Sequence, residues 1–436
     1  MKTKSRPITL GLVSLGCSKN LVDSEQLARQ AEANHIKVIF DPVSISGFET
    51  AIINTCGFIG DAKQESINTI LQFAEAKKNG HISRVYVAGC LSQRYKRQLE
   101  IEIPEVDAYF GVDELDRIIR EVGGHYKKEL LGERFITTPS HYSYLKISEG
   151  CSRKCSFCAI PLIRGKHISR SIGDILNEAR FLVQSGVKEI NLISQDTTYY
   201  GIDIYHERKL PELLEKLALI PGVEWLRIHY AFPDGFPMKV LDIMNQYPNI
   251  CKYLDLPLQH INDRILKSMR RNITAGKTKK LIEKIRNKVP GIGLRTTLMV
   301  GYPGETDKEY TELLNFVNEY KFDRLGVFTY SHEEETQAFS LIDDIPEKIK
   351  QHRADEIMNV QESISFHLNM GKVDKRIKAV VDKTSEPYYI GRSEMDSPEV
   401  DNEILIKQNS GSAELGQFCE VKITGAENFD LYAELV

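Results

Sequence analysis

The sequence predicts an α/β protein with three parts: an N-terminal parallel α/β domain, a central six-unit open partial (β/α) barrel, and a small C-terminal antiparallel β-barrel. Strand-like and helix-like segments alternate through most of the chain, which indicates parallel sheets. After Gly371 the pattern changes to short alternating runs separated by Gly, Asn, Asp and Ser, which is typical of a small all-β domain. A chain of 436 residues has room for several domains.

The N-terminal domain is predicted over residues 1–135. A capped helix is expected in SKNLVDSEQLARQAEA, directly after the first strand, and a second helix in DAKQESINTILQFAEAKKNG. The expected strands of this domain are ITLGLVSLGC, AIINTCGF, RVYVAGC and DAYFGV. Strands that alternate with helices in this way predict a parallel sheet.

The central domain is predicted over residues 136–345, with a helical linker over 346–371 and the β domain over 372–436. Six strand–helix units are fewer than the eight that close a full barrel, so we expect an open one. The barrel strands are expected in YSYLKIS, EINLIS, WLRIHY, YLDLPL, GLRTTLMV and RLGVFTYS. The strands of the β domain are expected in KRIKAVVD, YYIGRSEM, EILIKQ, QFCEVKITGA and LYAELV.

Composition limits the class of protein. Hydrophobic residues make up 42% and charged residues 27%, as in ordinary globular proteins, and the net charge of −4 gives no global basic footprint for nucleic acid. No stretch reaches the apolar length needed to span a bilayer. The basic N-terminus lacks a long apolar core and a small-residue cleavage site, so no signal peptide is predicted. We therefore expect a cytoplasmic protein whose cysteines are reduced or metal-bound.

Three cysteines in one short window carry most of the functional information. Cys151, Cys155 and Cys158 lie in EGCSRKCSFCAIP with the spacing C-x3-C-x2-C. Thiolates this close in a reducing compartment indicate metal or iron–sulfur ligation. Three ligands to a four-iron cluster leave one iron open for a group that is not protein. The alternative is a structural zinc site, but such sites usually have four ligands, and no nearby residues form a second pair.

A second set of cysteines is predicted to converge through the fold. Cys17, Cys56 and Cys90 each stand at the carboxyl end of an expected strand, with a glycine beside each of them. In a parallel sheet those ends lie on one edge, where such folds place ligands. We therefore expect a second three-thiolate cluster, the alternative being three small buried hydrophobic residues. Cys251 and Cys419 lack such neighbours and are interpreted as packing residues.

The C-x3-C-x2-C spacing resembles that of the radical S-adenosylmethionine (SAM) superfamily, and two cysteine triads with a small C-terminal β domain resemble the methylthiotransferases. The segments SLGCSKNLVDSE, NTCGFIGDAKQES, VAGCLSQRY and ISEGCSRKCSFCAIPLIRGKHISR carry this resemblance over essentially the whole chain. SLGCSKNLVDSE and GRSEMDSPEVDNEI resemble the RimO-type branch, which modifies an aspartate of ribosomal protein S-twelve. The tRNA-modifying branch usually carries Phe before that glycine and Gln-Met-Asn after the cysteine. The C-terminal domain resembles a TRAM domain.

The resemblance implies two 4Fe-4S clusters and SAM as cofactors. The cluster at Cys151, Cys155 and Cys158 would pass one electron to SAM, which cleaves it to methionine and a 5′-deoxyadenosyl radical. This radical would take a hydrogen atom from the aspartate β-carbon. The cluster at the other triad would present the sulfur, and a second SAM the methyl group. The implied partners are ribosomal protein S-twelve, free or in the ribosome, and an electron donor such as flavodoxin or ferredoxin. The sulfur donor is not specified, and no membrane partner is expected.

Charge bears on the choice between the two branches. From Lys372 to Val436 there are eight Lys or Arg and thirteen Asp or Glu, a formal charge of 8 − 13 = −5. A domain that binds tRNA phosphates should be basic, whereas an acidic domain suits a basic ribosomal protein. The alternative is an ordinary solvated surface, in which an acidic average can hide a basic patch. tRNA adenosine methylthiotransferase is therefore the second hypothesis. A non-catalytic iron–sulfur or zinc-stabilised binding module is a third.

The remaining site residues are predicted from their positions after barrel strands, where such folds cluster functional groups. Cofactor-binding candidates are Gln195, Asp196, Gln259, His260, and, in GYPGET, Gly301, Gly304 and Glu305. Helix caps and ordinary turns are the alternatives. His229 and Tyr230 share this ambiguity; Arg164 and Arg170 could bind substrate or cofactor carboxylates, and Phe157 could shield the cluster. No catalytic residue is assigned beyond the cluster ligands.

Overall fold

The structure, a computed structural model, describes residues 8–130 and 132–436. The first seven residues, whose basic character enters the signal-peptide expectation, lie outside this range. The chain divides into two compact units. Unit 1 contains the chain up to Thr138 together with Tyr144–Ser152 and Ala159–Phe181, and unit 2 contains Pro139–Ser143, Arg153–Cys158 and Leu182–Val436. None of the helices in the described residues is long and apolar enough to cross a membrane.

Unit 1 is built on a five-stranded sheet with the order β2-β1-β3-β4-β5, in which every pair is parallel. Its first elements are β1 (Thr9–Ser14), α1 (Ser18–Ala33), β2 (Lys37–Phe40), β3 (Thr50–Thr55), α2 (Gly60–Lys78), β4 (Arg84–Gly89), α3 (Cys90–Glu102), β5 (Ala108–Tyr109) and α4 (Leu115–Glu121). The predicted parallel sheet is confirmed. Strand β2 is additional to the prediction: it is four residues long, lies at the sheet edge, and buries no side chain completely.

The next part of the chain surrounds the C-x3-C-x2-C segment. Its elements are β6 (Tyr142–Lys146), β7 (Ser148–Glu149), α5 (Ile160–Ile163), β8 (Ile168–Ser169) and α6 (Ile172–Gln184). Strands β7 and β8 form a short antiparallel ladder, which pairs Ser148 with Ser169 and Glu149 with Ile168. This ladder joins the two ends of the cysteine loop within unit 1.

A six-stranded sheet with the order β13-β12-β11-β10-β9-β6 forms the predicted partial barrel. The further elements are β9 (Glu189–Ile193), α7 (Ile202–Tyr205), α8 (Leu210–Ala218), β10 (Trp225–Ile228), α9 (Lys239–Gln246), β11 (Ile250–Asp255), α10 (Asp263–Ser268), α11 (Ala275–Lys288), β12 (Gly293–Val300), α12 (Asp307–Tyr320), β13 (Arg324–Thr329) and α13 (Glu347–Met370). The pairs from β9 to β13 are all parallel. The expected open α/β barrel is therefore confirmed.

Helix α13 covers the predicted linker but packs as part of unit 2. It buries Ala354, Ile357 and Ile364, and Gln361 donates a hydrogen bond of 2.9 Å to the carbonyl of Phe322. From the sequence this helix looks like a solvated linker, because its buried residues include the polar side chains Lys350, Arg353 and Gln361. The helix is therefore packed along its length.

The C-terminal domain is a closed barrel with the order β14-β15-β16-β18-β17. Its strands are β14 (Arg376–Ser385), β15 (Tyr388–Ser393), β16 (Ile404–Lys407), β17 (Phe418–Ala426) and β18 (Leu431–Leu435). The predicted small antiparallel β-barrel is confirmed, with one exception in strand direction, because β16 and β18 run parallel. A ring with an odd number of strands cannot alternate in direction all the way round, so one neighbouring pair must be parallel.

Buried ion pairs fix this barrel to the six-stranded sheet within unit 2. Glu189 on β9 lies 2.8 Å from the guanidinium of Arg392 on β15 and 3.0 Å from that of Arg227 on β10. In the loop after β15, Asp396 and Asp401 pair with arginines of β13 and β12. Buried charges are tolerated only when paired, so these contacts specify how the two parts of unit 2 dock.

Candidate metal centres

Cys17, Cys56 and Cys90, called the first triad because they come first in the chain, lie at the carboxyl ends of the strands of the unit 1 sheet. Cys17 precedes α1, Cys56 directly follows β3, and Cys90 directly follows β4 as the first residue of α3. Strands β1, β3 and β4 are neighbours in the sheet, and all run in the same direction. Their carboxyl ends therefore bring the three thiols together, as the spacing of strands and helices predicts.

Two glycines allow the cysteine loops to touch. Gly16 has a φ of +90°, and a Cβ atom there would lie 2.9 Å from the Sγ of Cys56. At Gly57 a Cβ would lie 2.6 Å from the Cα of Leu91, next to Cys90. Real side chains do not approach this closely, so both positions require glycine. The loops of all three cysteines are thus in contact with one another.

Asn20 in the first turn of α1 ties the same loops together. Its side-chain amide donates hydrogen bonds of 2.9 Å to the carbonyls of Leu15 and Thr55, which precede the first two cysteines. Its Oδ1 accepts a hydrogen bond of 3.6 Å from the Sγ of Cys90. Sequence reasoning overlooked Asn20, although an amide close behind Cys17 in a helix start is a usable signal.

Arg164, which follows the C-x3-C-x2-C loop, is buried beside Cys90. Its guanidinium donates hydrogen bonds to Asn20, to Asp23 at 3.1 Å and to Glu149 at 2.8 Å. The neighbouring residues of α5 pack against Cys90 as well. The carboxylates that Arg164 meets are therefore those of unit 1 itself, which differs from the predicted role in binding substrate or cofactor.

Arg170 is also held by the protein. It donates a hydrogen bond of 2.7 Å to the carbonyl of Lys146 and lies 2.6 Å from Glu178. Lys146 in turn pairs with Asp23 and Glu149. The two arginines thus belong to one network of charges in unit 1, and each has a carboxylate from the chain.

Burial raises the pKa of two thiols of the first triad, those of Cys56 and Cys90. It raises the pKa of Cys90 to about 12, with the nearby Arg164 acting in the opposite direction. Burial likewise raises the pKa of Cys56. Both thiols are therefore protonated at neutral pH in the absence of metal, and binding iron releases the protons. Three convergent thiols, of which those of Cys56 and Cys90 are buried and that of Cys17 is exposed, fit a cluster that binds one thiolate per iron.

The second triad consists of Cys151, Cys155 and Cys158 on one loop, whose residues are divided between unit 1 and unit 2. Cys151 belongs to unit 1, where its backbone N–H donates a hydrogen bond of 3.1 Å to the carbonyl of Gly165. Cys155 and Cys158 belong to unit 2, where the N–H of Cys158 donates to the carbonyl of Cys155 at 3.2 Å. All three side chains are partly exposed, so the thiols remain accessible to a cofactor.

The end of α10 holds the part of this loop that belongs to unit 2. Ser156 donates hydrogen bonds from its N–H to the carbonyl of Met269 at 3.1 Å and from its hydroxyl to that of Ser268 at 2.9 Å. Phe157 packs beside Met269 against a buried cluster that includes Tyr302. This contact agrees with a shielding role for Phe157, which remains a prediction. Arg271, which sequence reasoning also overlooked, donates a hydrogen bond to the Sγ of Cys155.

A four-iron cluster differs from a single metal ion in the spacing of its ligands. In the described part of the chain, no group of three His, Cys, Asp or Glu side chains is arranged to hold a single ion. This finding does not bear on the triads, because each thiolate of a four-iron cluster binds a different iron. Cys251 lies outside both triads and packs among Trp225, Tyr253 and Val380.

Asp196 and Gln195 follow β9 by a few residues. The carboxylate of Asp196 is almost fully buried, accepts from the N–H of Thr198 at 2.9 Å, and caps the short 3-10 helix Thr197–Tyr199. It also pairs with Arg153 at 2.8 Å. Gln195 is half-buried beside it. The capping alternative therefore applies to Asp196, and a cofactor contact remains a prediction for both residues.

Five other candidates come together in unit 2. The Nε2 of buried His260 lies 3.3 Å from Glu305, which also accepts from Arg353 at 3.2 Å and from the N–H of Gly301. The N–H of Gly304 donates to Asp344. Gln259 pairs through its backbone with β12. Glu305 thus has charged partners inside unit 2, and binding of a cofactor by these residues remains a prediction.

His229 and Tyr230, which follow β10, are tied to the protein as well. The Nε2 of His229 lies 3.3 Å from the hydroxyl of Ser397 and 3.4 Å from the amide oxygen of Asn191. The N–H of Tyr230 donates a hydrogen bond of 3.1 Å to Asp255. These contacts show satisfied polar groups, which is the alternative weighed for both residues.

Three families match successive parts of the chain. Residues 9–111 match the uncharacterized protein family UPF0004, residues 145–317 the radical SAM superfamily, and residues 373–436 the TRAM domain. The first match contains Cys17, Cys56 and Cys90, and the second contains the C-x3-C-x2-C cysteines. Both candidate centres therefore lie within recognised families.

Curated relatives match over the full length. The ribosomal protein uS12 methylthiotransferase RimO of Phocaeicola vulgatus is 52% identical over 429 residues, covering 98% of this chain and 99% of the relative. The protein with the same name from Flavobacterium johnsoniae is 52% identical over 435 residues, covering 100% of each chain. That from Cytophaga hutchinsonii is 51% identical over 437 residues, again with 100% coverage of both.

Solved structures show a shared fold. The radical SAM methyltransferase TsrM from Kitasatospora setae has a TM-score of 0.53 with 12% identity, covering 74% of this chain and 72% of TsrM. The cobalamin-dependent radical SAM enzyme OxsB has a TM-score of 0.52 with 13% identity, covering 82% of this chain and 56% of OxsB. At this identity the likeness concerns the fold, whereas the full-length relatives define the family. The chain belongs to the RimO family of radical SAM methylthiotransferases, transferases that use SAM and 4Fe-4S clusters.

Proposed function

We propose that this enzyme adds a methylthio group to the β-carbon of an aspartate in ribosomal protein uS12. In this proposal Cys151, Cys155 and Cys158 hold the cluster that binds SAM. Cys17, Cys56 and Cys90 hold the other cluster, which presents the sulfur. The observation that carries the proposal is the convergence of three thiols from adjacent parallel strands, in addition to the loop triad.

The cofactors supply the chemistry that side chains cannot, because breaking an unactivated C–H bond requires a radical that SAM and a reduced cluster provide. The protein binds the clusters and shields Cys56 and Cys90 from water by burying them, whereas Cys17 is exposed. Within unit 1 the protein also links Cys151 of the loop triad to the surroundings of Cys90. Arg164 lies beside Cys90, and the carbonyl of the next residue, Gly165, holds the N–H of Cys151.

The partner of the acidic C-terminal barrel is proposed to be a basic protein surface. Its formal charge of −5 would repel tRNA phosphates and attract the basic ribosomal protein. We further propose a cytoplasmic location and an electron donor such as flavodoxin or ferredoxin, which a low-potential cluster requires. A tRNA substrate remains the alternative that the experiment below must separate.

The test uses protein reconstituted anaerobically with iron and sulfide, then reduced in the presence of SAM. A peptide with the aspartate loop of uS12 should gain the mass of a methylthio group, and a tRNA anticodon stem should not. Loss of 5′-deoxyadenosine production is expected in Cys155→Ala. In Cys56→Ala we expect SAM cleavage to continue while sulfur insertion stops.

The iron content of each variant is the second measurement, and Cys419→Ala is its matched control. Two cubane clusters correspond to about eight irons per chain, and loss of one triad should leave about four. Cys419→Ala changes a cysteine outside both triads and should retain about eight irons. Modification of the RNA alone would refute the substrate assignment, and efficient sulfur insertion by Cys56→Ala would refute the role of the second cluster.

A further inference from the structure

Arg271 is a buried cation whose side chain reaches a cluster cysteine within unit 2. It follows the end of α10 and is 4% exposed. Its guanidinium donates a hydrogen bond of 3.5 Å to the Sγ of Cys155 and another to the carbonyl of Pro257. The Nε atom has no hydrogen-bond partner in the described part of the chain. The guanidinium therefore points at sulfur with part of its hydrogen-bonding capacity unused.

An aromatic ring fixes the orientation of this arginine. The ring of Phe232 lies between two guanidinium groups, 4.1 Å from that of Arg271 and 4.0 Å from that of Arg153. Cations stack favourably on aromatic faces, so Phe232 holds Arg271 in place beside the cysteine loop. The backbone N–H of Arg271 also donates to the carbonyl of Leu266 at 3.0 Å, which anchors the residue to α10.

The two arginines that stack on Phe232 differ in their counter-charges. Arg153 pairs with Asp196 at 2.8 Å and with Asp234 at 3.3 Å. For Arg271, by contrast, residues 8–130 and 132–436 provide no carboxylate within ion-pair distance. A buried charge without a partner is strongly unfavourable, so a site that keeps one is built for an anion. Among the described residues, Arg271 donates to the carbonyl of Pro257 and to the sulfur of Cys155, and of these two acceptors the sulfur can become an anion, as a thiolate when iron binds.

We propose that Arg271 is the counter-charge of the cluster held by Cys151, Cys155 and Cys158, and that it raises the reduction potential of this cluster. This inference rests on the proposed function, because it takes the loop cysteines as the cluster ligands. A positive charge and a hydrogen bond at a ligand sulfur both favour the more negative, reduced state of the cluster. Arg271 is thus a positioning residue, which acts on the cluster through Cys155.

Arg164 in unit 1 provides an internal comparison. It also reaches a cysteine of a triad, Cys90, but Asp23 and Glu149 already balance its charge. Removing Arg164 would therefore remove one member of a neutral group, whereas removing Arg271 removes an unbalanced cation.

The experiment measures the midpoint potential of the cluster held by Cys151, Cys155 and Cys158, called the loop cluster, in a full chain that lacks the other cluster. In the background Cys17→Ala/Cys56→Ala/Cys90→Ala, only the loop cluster should form, with about four irons. A redox titration followed by electron paramagnetic resonance then gives its midpoint potential. For Arg271→Gln we expect the reduced fraction to fall about tenfold relative to the oxidised fraction at fixed ambient potential, equivalent to about 59 mV for one electron.

Two further variants separate charge from packing. Arg270→Gln makes the same change at the adjacent, exposed arginine and should leave the potential unchanged. Arg271→Lys retains the positive charge and should keep the potential above that of Arg271→Gln. Equal potentials for Arg271→Gln and Arg270→Gln would overturn the inference.

Failure to bind a cluster is also decisive. If Arg271→Gln binds no iron while Arg271→Lys does, the need for a positive charge is supported. Loss of iron in both variants, with an unchanged circular-dichroism spectrum, would refute charge balance in favour of packing. If the triple-alanine background binds no iron, the ligand assignment of the proposed function fails, and this inference fails with it. Iron-loaded protein with an unchanged potential would refute only the role of Arg271.

Discussion

Replacing Gly16 by alanine should remove the cluster of unit 1 without unfolding the protein. The backbone at Gly16 has a φ of +90°, where an L-residue is strained by about 1 kcal/mol. The added Cβ would lie 2.6 Å from the Cβ and 2.9 Å from the Sγ of Cys56, so the cysteine must move. Overpacking of this kind costs about 1–3 kcal/mol. The total is therefore about 2–4 kcal/mol, less than the usual stability of a folded protein.

The same displacement should prevent Cys56 from binding the cluster together with Cys17 and Cys90. We expect iron to fall from about eight to about four per chain, since one cubane is lost. SAM cleavage should continue, because the loop cysteines are unchanged, while methylthiolation of the uS12 peptide should stop. Iron analysis, 5′-deoxyadenosine formation and urea unfolding of the metal-free protein measure these effects.

Gly60→Ala is the matched control in the same unit. Gly60 begins α2, has no positive φ, and no atom lies within 4 Å of the position of its Cβ. Alanine there should leave iron content unchanged and stabilise the protein by about 0.4–1 kcal/mol through the unfolded chain. The reasoning is refuted if Gly16→Ala retains about eight irons and unfolds at the same urea concentration as the control.

Three other predictions test the contacts that hold the site and its scaffold. Asn20→Ala should halve the iron content without lowering SAM cleavage, because the amide that joins the three cysteine loops is lost; unchanged iron would contradict this. Glu189→Gln should destabilise the protein by about 3 kcal/mol or more in urea unfolding, because buried Arg227 loses its carboxylate and buried Arg392 keeps only that of Asp382, whereas Glu224→Gln, in an exposed pair, should cost less than about 1 kcal/mol. The hydrogen bond from Arg264 lowers the pKa of Glu309 to about 2, so its stabilising contribution should be present above about pH 4.3 and lost as the pH falls towards 2. The free energy of unfolding of Glu309→Gln, measured in urea, should depend less on pH across this range. An unchanged pH dependence would show that the ionisation of Glu309 does not contribute to it.

The sequence was sufficient for the features that follow from local pattern. Strand β12 coincides with the predicted run GLRTTLMV, because its alternating buried and half-buried residues give a clear period of two. Cys17, Cys56 and Cys90 could be placed at one edge because each follows a strand, and the direction of parallel strands then fixes their position. Strand β2 escaped prediction because it is a short edge strand without a fully buried side chain.

The contacts of individual side chains did not follow from local pattern. Asn20 binds the carbonyl of Thr55, which lies 35 residues away along the chain. Arg271 is 116 residues from Cys155. Neither residue lies in a motif that names its partner, so only the packed structure joins them. The candidates around Glu305 illustrate the reverse case, since strand-end position brought them together while buried partners within unit 2 already occupy the carboxylate.

Counter-charge distinguishes the structural arginines of unit 2 from the one that we assign to a cluster. Arg227 and Arg392 are as buried as Arg271, but both pair with Glu189 and Arg392 also pairs with Asp382, so that their charges are balanced without any cofactor. Arg271 contacts a cysteine sulfur instead, and its charge is balanced only when that sulfur is anionic. Since iron converts the thiol into a thiolate, cluster binding should stabilise the surroundings of Arg271 and leave those of Glu189 unchanged. Hydrogen exchange of α10 should therefore slow on reconstitution with iron, whereas exchange of β9 should not; equal responses would show that the two sites respond to the cluster in the same way.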